Sequence, residues 1–152
     1  MDDLNFKIQK LLDEYTGEPG GSDFKEHQRE SIKSILTPSS RTLIIQKTGW
    51  GKSAVYYIAA KYLRKEKSKI TLVISPLLSL INDQIRATKG FIKLLSINSI
   101  TKNRDDYPDL RYQILNENFD GLIIPPEQFY TDDGDFMNII FPAIANRVGL
   151  VV

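Results

Sequence analysis

The short stretch Thr48-Gly49-Trp50-Gly51-Lys52-Ser53 constrains the fold of this chain more than any other feature of its sequence. It follows the apolar, β-rich run 42–46 and opens a helical pattern over 52–66. The two glycines let the backbone turn tightly and aim successive N–H groups at phosphate oxygens, and a helix start adds a positive dipole end. A strand, a Gly-rich turn and a helix in this order are typical of a P-loop. The alternative interpretation is a Gly-rich turn with an exposed lysine.

The P-loop interpretation gives each residue of this stretch a predicted role. Lys52 is expected to reach the β- and γ-phosphates and is the candidate catalytic residue. Ser53 is expected to bind Mg²⁺ through its hydroxyl group. The full P-loop pattern would place a glycine at position 46, where this chain has Gln46, so the match is to the shorter form T-G-x-G-K-S. The remaining residues predicted to contact the nucleotide phosphates are Thr48, Gly49, Trp50 and Gly51.

Apolar, β-rich runs and helical patterns alternate along the chain. The predicted strands lie at 42–46, 71–75, 93–97, 121–124 and 148–152. The predicted helices lie at 3–15, 25–36, 52–66, 77–88, 107–118 and 136–146. This alternation predicts an α/β fold with a parallel sheet and helices on both of its faces. The fifth strand ends the chain without a following helix, so we expect a domain truncated after about the fifth strand.

Composition limits the function less than the motifs do. The chain has 152 residues with 41% hydrophobic residues, 26% charged residues and a net charge of +1, so composition gives no argument for a nucleic-acid binder. The absence of cysteine excludes disulfides and thiolate zinc sites. No basic start precedes an apolar run, and no apolar stretch approaches the roughly 18 residues of a membrane span. We therefore expect a cytoplasmic protein without membrane contact.

Three further segments resemble those of the RecQ-type superfamily 2 helicases. Residues 24–30, Phe-Lys-Glu-His-Gln-Arg-Glu, are similar to the family's adenine-reading motif F-R-x-x-Q, with Lys25 in place of the usual arginine. Residues 74–84 are similar to the segment S-P-L-x-S-L-x-x-D-Q, and residues 124–129 resemble the A-P-E-R segment. The resemblance covers nearly the whole chain from Phe24 onward and includes the T-G-x-G-K-S loop.

The resemblance implies a fold, ligands and site residues. It implies that residues 1–23 are an N-terminal helix and linker, and that 24–152 are part of a first RecA-like, P-loop NTPase domain. It implies ATP and Mg²⁺ as cofactors, with Gln28 and Lys25 at the adenine, because the Gln side chain has the donor and the acceptor that an adenine edge needs. Single-stranded or duplex DNA is the implied partner, contacted through the complete parent protein. The residues implied to contact DNA are Ser75, Pro76, Ser79 and Glu127.

The family resemblance further implies an ATP-dependent 3′-to-5′ DNA helicase or translocase. The family's D-E-x-H box and second motor domain are not among these 152 residues, so we expect this chain alone to bind nucleotide without unwinding DNA. Two alternatives stay open, namely a P-loop enzyme of another class, such as a nucleotide or small-molecule kinase, and a non-catalytic nucleic-acid interaction module. The sequence leaves the oligomeric state and the biological pathway open.

Overall fold

A computed structural model describes residues 3–116, 119–130 and 134–152 of the chain. The chain forms two compact units, the first ending at Lys67 and the second beginning at Ser68. In the described ranges, no helix is both long and apolar enough to cross a membrane. The predicted boundary after residue 23 stays a prediction.

The first unit contains three helices. They are α1 (Asp3–Thr16), α2 (Gln28–Leu36) and α3 (Lys52–Lys67). Helix α3 contacts both α1 and α2. Apolar side chains spaced three or four residues apart bury one face of each helix, as expected of amphipathic helices that share a core. The largest fully buried aliphatic side chains of this unit are Ile8, Ile32 and Ile58.

The second unit is built on a parallel sheet of four strands in the order β2-β3-β1-β4. The strands are β1 (Ile70–Ile74), β2 (Leu94–Ser96), β3 (Gly121–Ile124) and β4 (Val148–Val151). Every residue of the inner strand β3 is buried, as are the first four residues of β1. Continuous burial of this kind is typical of a parallel strand with its neighbours on either side.

Helices and short helical turns connect these strands. They are α4 (Leu78–Ala87), α5 (Ser99–Lys102), α6 (Tyr107–Leu115), a 3₁₀ turn (Pro126–Phe129), a π-helical turn (Asp135–Ile140), α7 (Phe141–Ile144) and a second 3₁₀ turn (Ala145–Arg147). The hydrophobic core of the unit joins the strands to this helical layer. The core includes Ile70, Leu72, Ile97, Ile114, Phe119, Leu122, Ile124, Phe136, Ile140 and Ile144.

These elements confirm the predicted α/β fold with a parallel sheet, and they place four of the five predicted strands. The helix predicted over 107–118 is helical over Tyr107–Leu115, and its last two predicted residues lie outside the described residues. The helix predicted over 136–146 is divided into a π-helical turn, α7 and a 3₁₀ turn. Helical periodicity predicts the apolar face of such a segment but not how tightly each turn is wound.

The strand predicted at 42–46 is wrong for this structure. These residues have no strand pairing, and all four strands of the sheet belong to the second unit. The side chains of Leu43 and Ile45 are 84% and 81% exposed, so they do not pack into a core. A strand is defined by hydrogen bonds to a neighbouring strand, and an apolar, β-rich run does not specify that neighbour.

Candidate nucleotide site

The predicted phosphate loop lies at the start of a long helix, as the P-loop interpretation requires. Helix α3 begins at Lys52, so the loop runs directly into its first turn. Gly49 and Gly51 have φ angles of +82° and +98°, a left-handed conformation that favours glycine. The first turn of an α-helix leaves backbone N–H groups without intrahelical acceptors, and these groups can bind an anion. The backbone at 48–52 therefore suits a phosphate group.

Lys52 is held by its own loop. Its ammonium group donates hydrogen bonds to the carbonyl oxygens of Gln46 over 2.7 Å and of Lys47 over 3.1 Å. The side chain is exposed, so nucleotide phosphates could approach it from solvent. A lysine ammonium has three donors on a flexible chain, and phosphate oxygens could replace these two carbonyls as its acceptors.

Gln28 joins the predicted adenine motif to the phosphate loop. Its Oε1 accepts a hydrogen bond from the backbone N–H of Lys25 over 2.9 Å, and its Nε2 donates to the carbonyl oxygen of Trp50 over 2.9 Å. The residue is 6% exposed. A Gln side chain has two acceptor lone pairs and two N–H groups, so one of each remains. This remaining pair matches the donor and acceptor of an adenine edge, and reaching it requires local opening around Gln28.

Lys25 provides a second link between the same two segments. Its ammonium group donates to the carbonyl oxygen of Gly49 over 2.9 Å. The structure thus brings Lys25, Gln28 and the loop together although more than twenty residues separate them in sequence. Positive charge from Lys25, Lys47 and Lys52 concentrates on this loop, and such a concentration favours an anionic ligand.

Trp50 and Ser53 complete the set of predicted loop residues. Trp50 is 7% exposed, and its indole N–H donates to the carbonyl oxygen of Glu26 over 3.2 Å. Sequence reasoning does not predict this contact, because the acceptor is a backbone carbonyl that every residue type possesses. Ser53 lies half-buried in the first turn of α3. Its hydroxyl could supply one oxygen ligand to a Mg²⁺ ion, whose other ligands would then come from phosphates and water.

The residues predicted to contact DNA belong to the second unit and follow two neighbouring strands. Ser75 and Pro76 come directly after β1, and Glu127 lies in the 3₁₀ turn after β3. Since β1 and β3 are adjacent and parallel, both segments leave the same edge of the sheet. The backbone N–H of Ser75 donates to the carbonyl oxygen of Ile124 over 2.9 Å, which fixes the two strand ends against each other.

The residues predicted to contact DNA differ in their exposure to solvent. Pro76, Ser79 and Glu127 are exposed. The side chain of Ser75 is buried, and its Oγ has no hydrogen-bond partner among the described residues. Gln128, which stands where the RecQ-type segment has arginine, is buried in the same way and its Oε1 also lacks a partner there. Solvent can therefore reach the first group directly, whereas Ser75 and Gln128 form polar positions beneath the surface.

Residues 25–147 match the DEAD/DEAH box helicase family. The chain belongs to this family. The match includes Lys25, Gln28 and the whole phosphate loop, together with the segments that follow β1 and β3.

Individual relatives support the resemblance to RecQ-type helicases. The chain is 43% identical over 74 residues to ATP-dependent DNA helicase Q-like 5 of Arabidopsis thaliana, covering 49% of this chain and 8% of the relative. It is 36% identical over 80 residues to human ATP-dependent DNA helicase Q4, covering 53% and 6%. It is 35% identical over 105 residues to ATP-dependent DNA helicase RecQ of Bacillus subtilis, covering 68% and 17%. The chain thus spans less than a fifth of the length of each of these relatives, and the predicted resemblance to RecQ-type helicases is confirmed.

Proposed function

We propose that this chain is the ATP-binding part of an ATP-dependent DNA helicase motor of the RecQ type. The observation that carries the proposal is the joined arrangement of Gln28, Lys25 and the Gly-rich loop at the start of α3. This arrangement offers a backbone site for phosphates, a lysine for the β- and γ-phosphates and a Gln side chain beside them. Membership of the helicase family supports the same assignment.

Within this proposal, ATP and Mg²⁺ are held by the first unit. The N–H groups at the start of α3 and the Lys52 ammonium hold the phosphates, and Ser53 supplies one hydroxyl ligand to Mg²⁺. When bound, Mg²⁺ would supply positive charge that offsets the charge of the phosphates held by these residues. Lys25 and Gln28 hold the loop in place and present the remaining polar positions of Gln28 to the base.

We also propose that DNA contacts the edge of the second unit where β1 and β3 end. Ser79 lies in the first turn of α4, where backbone N–H groups are available to a DNA phosphate. Pro76 and Glu127 lie exposed at the same edge of the sheet. Ser75 contributes through the position that its backbone gives to the turn, since its side chain is buried.

Three finer statements belong to the proposal. Movement on DNA is expected to run 3′-to-5′, as the RecQ resemblance implies, and is tested with partial duplexes carrying either a 3′ or a 5′ single-stranded tail. The 152 residues alone are expected to bind nucleotide without separating DNA strands, because the acidic box and second motor domain of the family are not among them. A cytoplasmic location stays a prediction.

The competing functions differ in what they do with nucleotide. A small-molecule kinase would transfer the γ-phosphoryl group to a small acceptor and ignore DNA. An interaction module would bind nucleic acid without nucleotide. The family match favours the motor over both alternatives, because it extends across the loop and the segments after β1 and β3.

The test uses Trp50, the single tryptophan of the sequence, as a fluorescence reporter within the loop. The chain is titrated with Mg-ATP, Mg-ADP and Mg-GTP, and the same titrations are made with Lys52→Ala. The matched control is Lys67→Ala, which removes an exposed lysine at the other end of α3. We expect a saturable response to adenine nucleotides that is lost in Lys52→Ala and kept in Lys67→Ala.

Two results would count against the proposal. An equal response to Mg-GTP would remove the adenine-reading role of Gln28 and favour a P-loop enzyme of another class. Calorimetry without heat of binding for any nucleotide would overturn nucleotide binding by this chain. Strand separation of a forked duplex by the 152 residues would contradict the expectation that they bind nucleotide without unwinding.

A further inference from the structure

Trp50 has an unusual environment for the variable position of a T-G-x-G-K-S loop. Thr48 and Gly49 immediately before it are exposed, whereas Trp50 is buried. A large aromatic side chain in an exposed loop would gain nothing from packing, but a buried one fixes the backbone on both sides of it. The side chain of Trp50 therefore acts as an anchor for the loop.

Trp50 forms its hydrogen bonds with residues 26–28. The indole N–H donates to the carbonyl oxygen of Glu26 over 3.2 Å, and the carbonyl oxygen of Trp50 accepts from Gln28 Nε2 over 2.9 Å. Trp50 thus uses both a side-chain donor and a backbone acceptor on residues 26–28. The Lys25 ammonium adds a third bond, to the carbonyl oxygen of Gly49.

The next residue of the loop shows how closely the two segments approach. A Cβ atom built on Gly51 would lie 2.6 Å from Gln28 Nε2, so no side chain fits there without displacing Gln28. The loop and the segment 24–28 are therefore in direct contact on both sides of the Trp50 carbonyl. A shift of one segment must disturb the other.

We propose that Trp50 is a positioning residue that fixes the phosphate loop to residues 24–28, which include the proposed base-reading Gln28. The preference for adenine then depends on the indole N–H of Trp50. The inference rests on the proposed function, because it assigns a coupling between the two halves of that nucleotide site. Preorganised groups bind more tightly because less ordering is needed when the ligand arrives. With Trp50 in place, the distance between Lys52, which binds the phosphates, and Gln28, which binds the base, is already fixed before the nucleotide arrives.

The experiment removes the indole donor and measures both base preference and local protection. Trp50→Phe keeps an aromatic ring but has no N–H group. Replacing Trp50 with benzothienylalanine keeps the size of the indole and exchanges only the N–H for sulfur, which covers the case that Trp50→Phe does not fold. The matched control is Phe6→Leu, which changes an exposed aromatic side chain on α1 of the same unit.

Calorimetry with Mg-ADP and Mg-GDP gives the base preference without relying on tryptophan fluorescence. We expect the affinity for Mg-ADP to fall by about fivefold, as for the loss of one intramolecular hydrogen bond, and the ADP-to-GDP affinity ratio to fall toward one. Hydrogen exchange of the chain without nucleotide is expected to become faster in residues 24–31 and 47–51 together. Phe6→Leu is expected to keep the wild-type ratio and exchange rates.

The two readouts separate failure of the inference from failure of the proposed function. An unchanged ADP-to-GDP ratio in the benzothienylalanine variant overturns the inference, even if both affinities fall. If the wild-type chain binds neither nucleotide, the proposed function fails. Hydrogen exchange alone then tests whether Trp50 fixes the loop to residues 24–28. Faster exchange in both segments would support the anchor, whereas faster exchange in only one segment, or in neither, would overturn it.

Discussion

The Gln28 side chain donates from Nε2 to the carbonyl oxygen of Trp50 over 2.9 Å and so ties α2 to the loop that precedes α3. The bond is buried, and it connects a motif predicted to read a base with a motif predicted to bind phosphates. The same amide accepts from the backbone N–H of Lys25 through Oε1. Gln28 therefore stabilises the loop, and its remaining N–H and lone pair could bind a base.

Replacing Gln28 with alanine should affect stability and specificity together. Gln28→Ala leaves the Trp50 carbonyl and the Lys25 N–H without this partner, and we expect the free energy of unfolding to fall by about 1–3 kcal/mol. The preference for Mg-ADP over Mg-GDP should disappear. Urea unfolding and calorimetry measure the two effects. The control Glu30→Ala changes an exposed side chain of the same helix, and equal stability of the two variants would contradict a structural role for Gln28.

The two glycines of the loop should differ in their tolerance of alanine. Both have positive φ angles, so alanine at either position costs about 1–2 kcal/mol for the left-handed backbone. A Cβ at Gly49 would meet no atom within 4 Å, whereas a Cβ at Gly51 would lie 2.6 Å from Gln28 Nε2. Gly51→Ala must therefore also displace the buried amide, and we expect it to be less stable than Gly49→Ala by roughly 1–3 kcal/mol.

A double-mutant cycle assigns the difference between these glycines to one contact. In a Gln28→Ala background the obstructing amide is absent, so Gly51→Ala and Gly49→Ala should become nearly equal in urea midpoint. Neighbouring residues that share a contact are expected to be non-additive in this way. Full additivity of Gly51→Ala and Gln28→Ala would show that the contact does not determine the cost.

Ser79 allows a test of the proposed DNA edge that does not involve nucleotide. Ser79→Glu adds a negative charge at the exposed first turn of α4, where a DNA phosphate is proposed to lie. We expect single-stranded DNA to bind several-fold more weakly at low salt, since a like charge opposes the phosphate backbone. Fluorescence anisotropy with a labelled oligonucleotide measures this. Asn146→Glu, at an exposed position before β4 and therefore at the opposite edge of the sheet, is the control, and equal weakening in both variants would point to a general charge effect.

The inner strand β3 should contribute strongly to the stability of the second unit. Ile123 in β3 is 0% exposed and pairs with Val73 and Ser96 on its two sides. Ile123→Ala leaves a cavity among packed side chains, and we expect a loss of about 2–5 kcal/mol. Val151→Ala in β4, where the side chain is 57% exposed, should cost less than about 1 kcal/mol. Thermal unfolding compares the two, and similar losses would contradict the burial of β3.

The sequence predicted the second unit well because its signals are local and redundant. The runs at 71–75 and 121–124 are apolar throughout, and in the structure the corresponding β1 and β3 are adjacent and almost wholly buried. The start of α3 at Lys52 was predicted for a similar reason, since the glycines before it mark the loop. Strand order was not predictable, because similar apolar runs do not distinguish one neighbour from another.

The contacts of the candidate site were less accessible to sequence reasoning. The side-chain chemistry of Gln28 predicts a base contact, but its bond to the Trp50 carbonyl depends on a backbone atom that every residue possesses. The same holds for Trp50 and the Glu26 carbonyl. The strand predicted at 42–46 is wrong for a different reason. The composition of this run suits a strand, but Leu43 and Ile45 are exposed and have no strand partner. The composition of a segment indicates whether it is suited to a strand, whereas strand pairing depends on the rest of the molecule.

Alkaline pH should destabilise the first unit through a buried phenol. Burial, together with the neighbouring Tyr56, raises the pKa of Tyr57 above the ordinary tyrosine value, and burial raises the pKa of Tyr15 in the same direction. A group whose folded pKa is raised stabilises the folded state fully below its unfolded pKa of about 10. Because only the unfolded phenol ionises just above that pH, the free energy of unfolding should fall as pH rises further.

Tyr57→Phe separates this effect from other alkaline changes. The variant keeps the aromatic ring but has no ionisable group, so its stability should fall less steeply between about pH 9 and pH 11. Some slope should remain, because Tyr15 contributes with the same sign and hydrogen bonds to Glu66 and Asp3 raise the pKa of Lys7. Urea unfolding across this range measures the slopes, with Tyr130→Phe, which removes an exposed hydroxyl of the second unit, as the control. A Tyr57→Phe slope equal to that of the wild-type chain would mean that Tyr57 ionises as readily in the folded state as in the unfolded one.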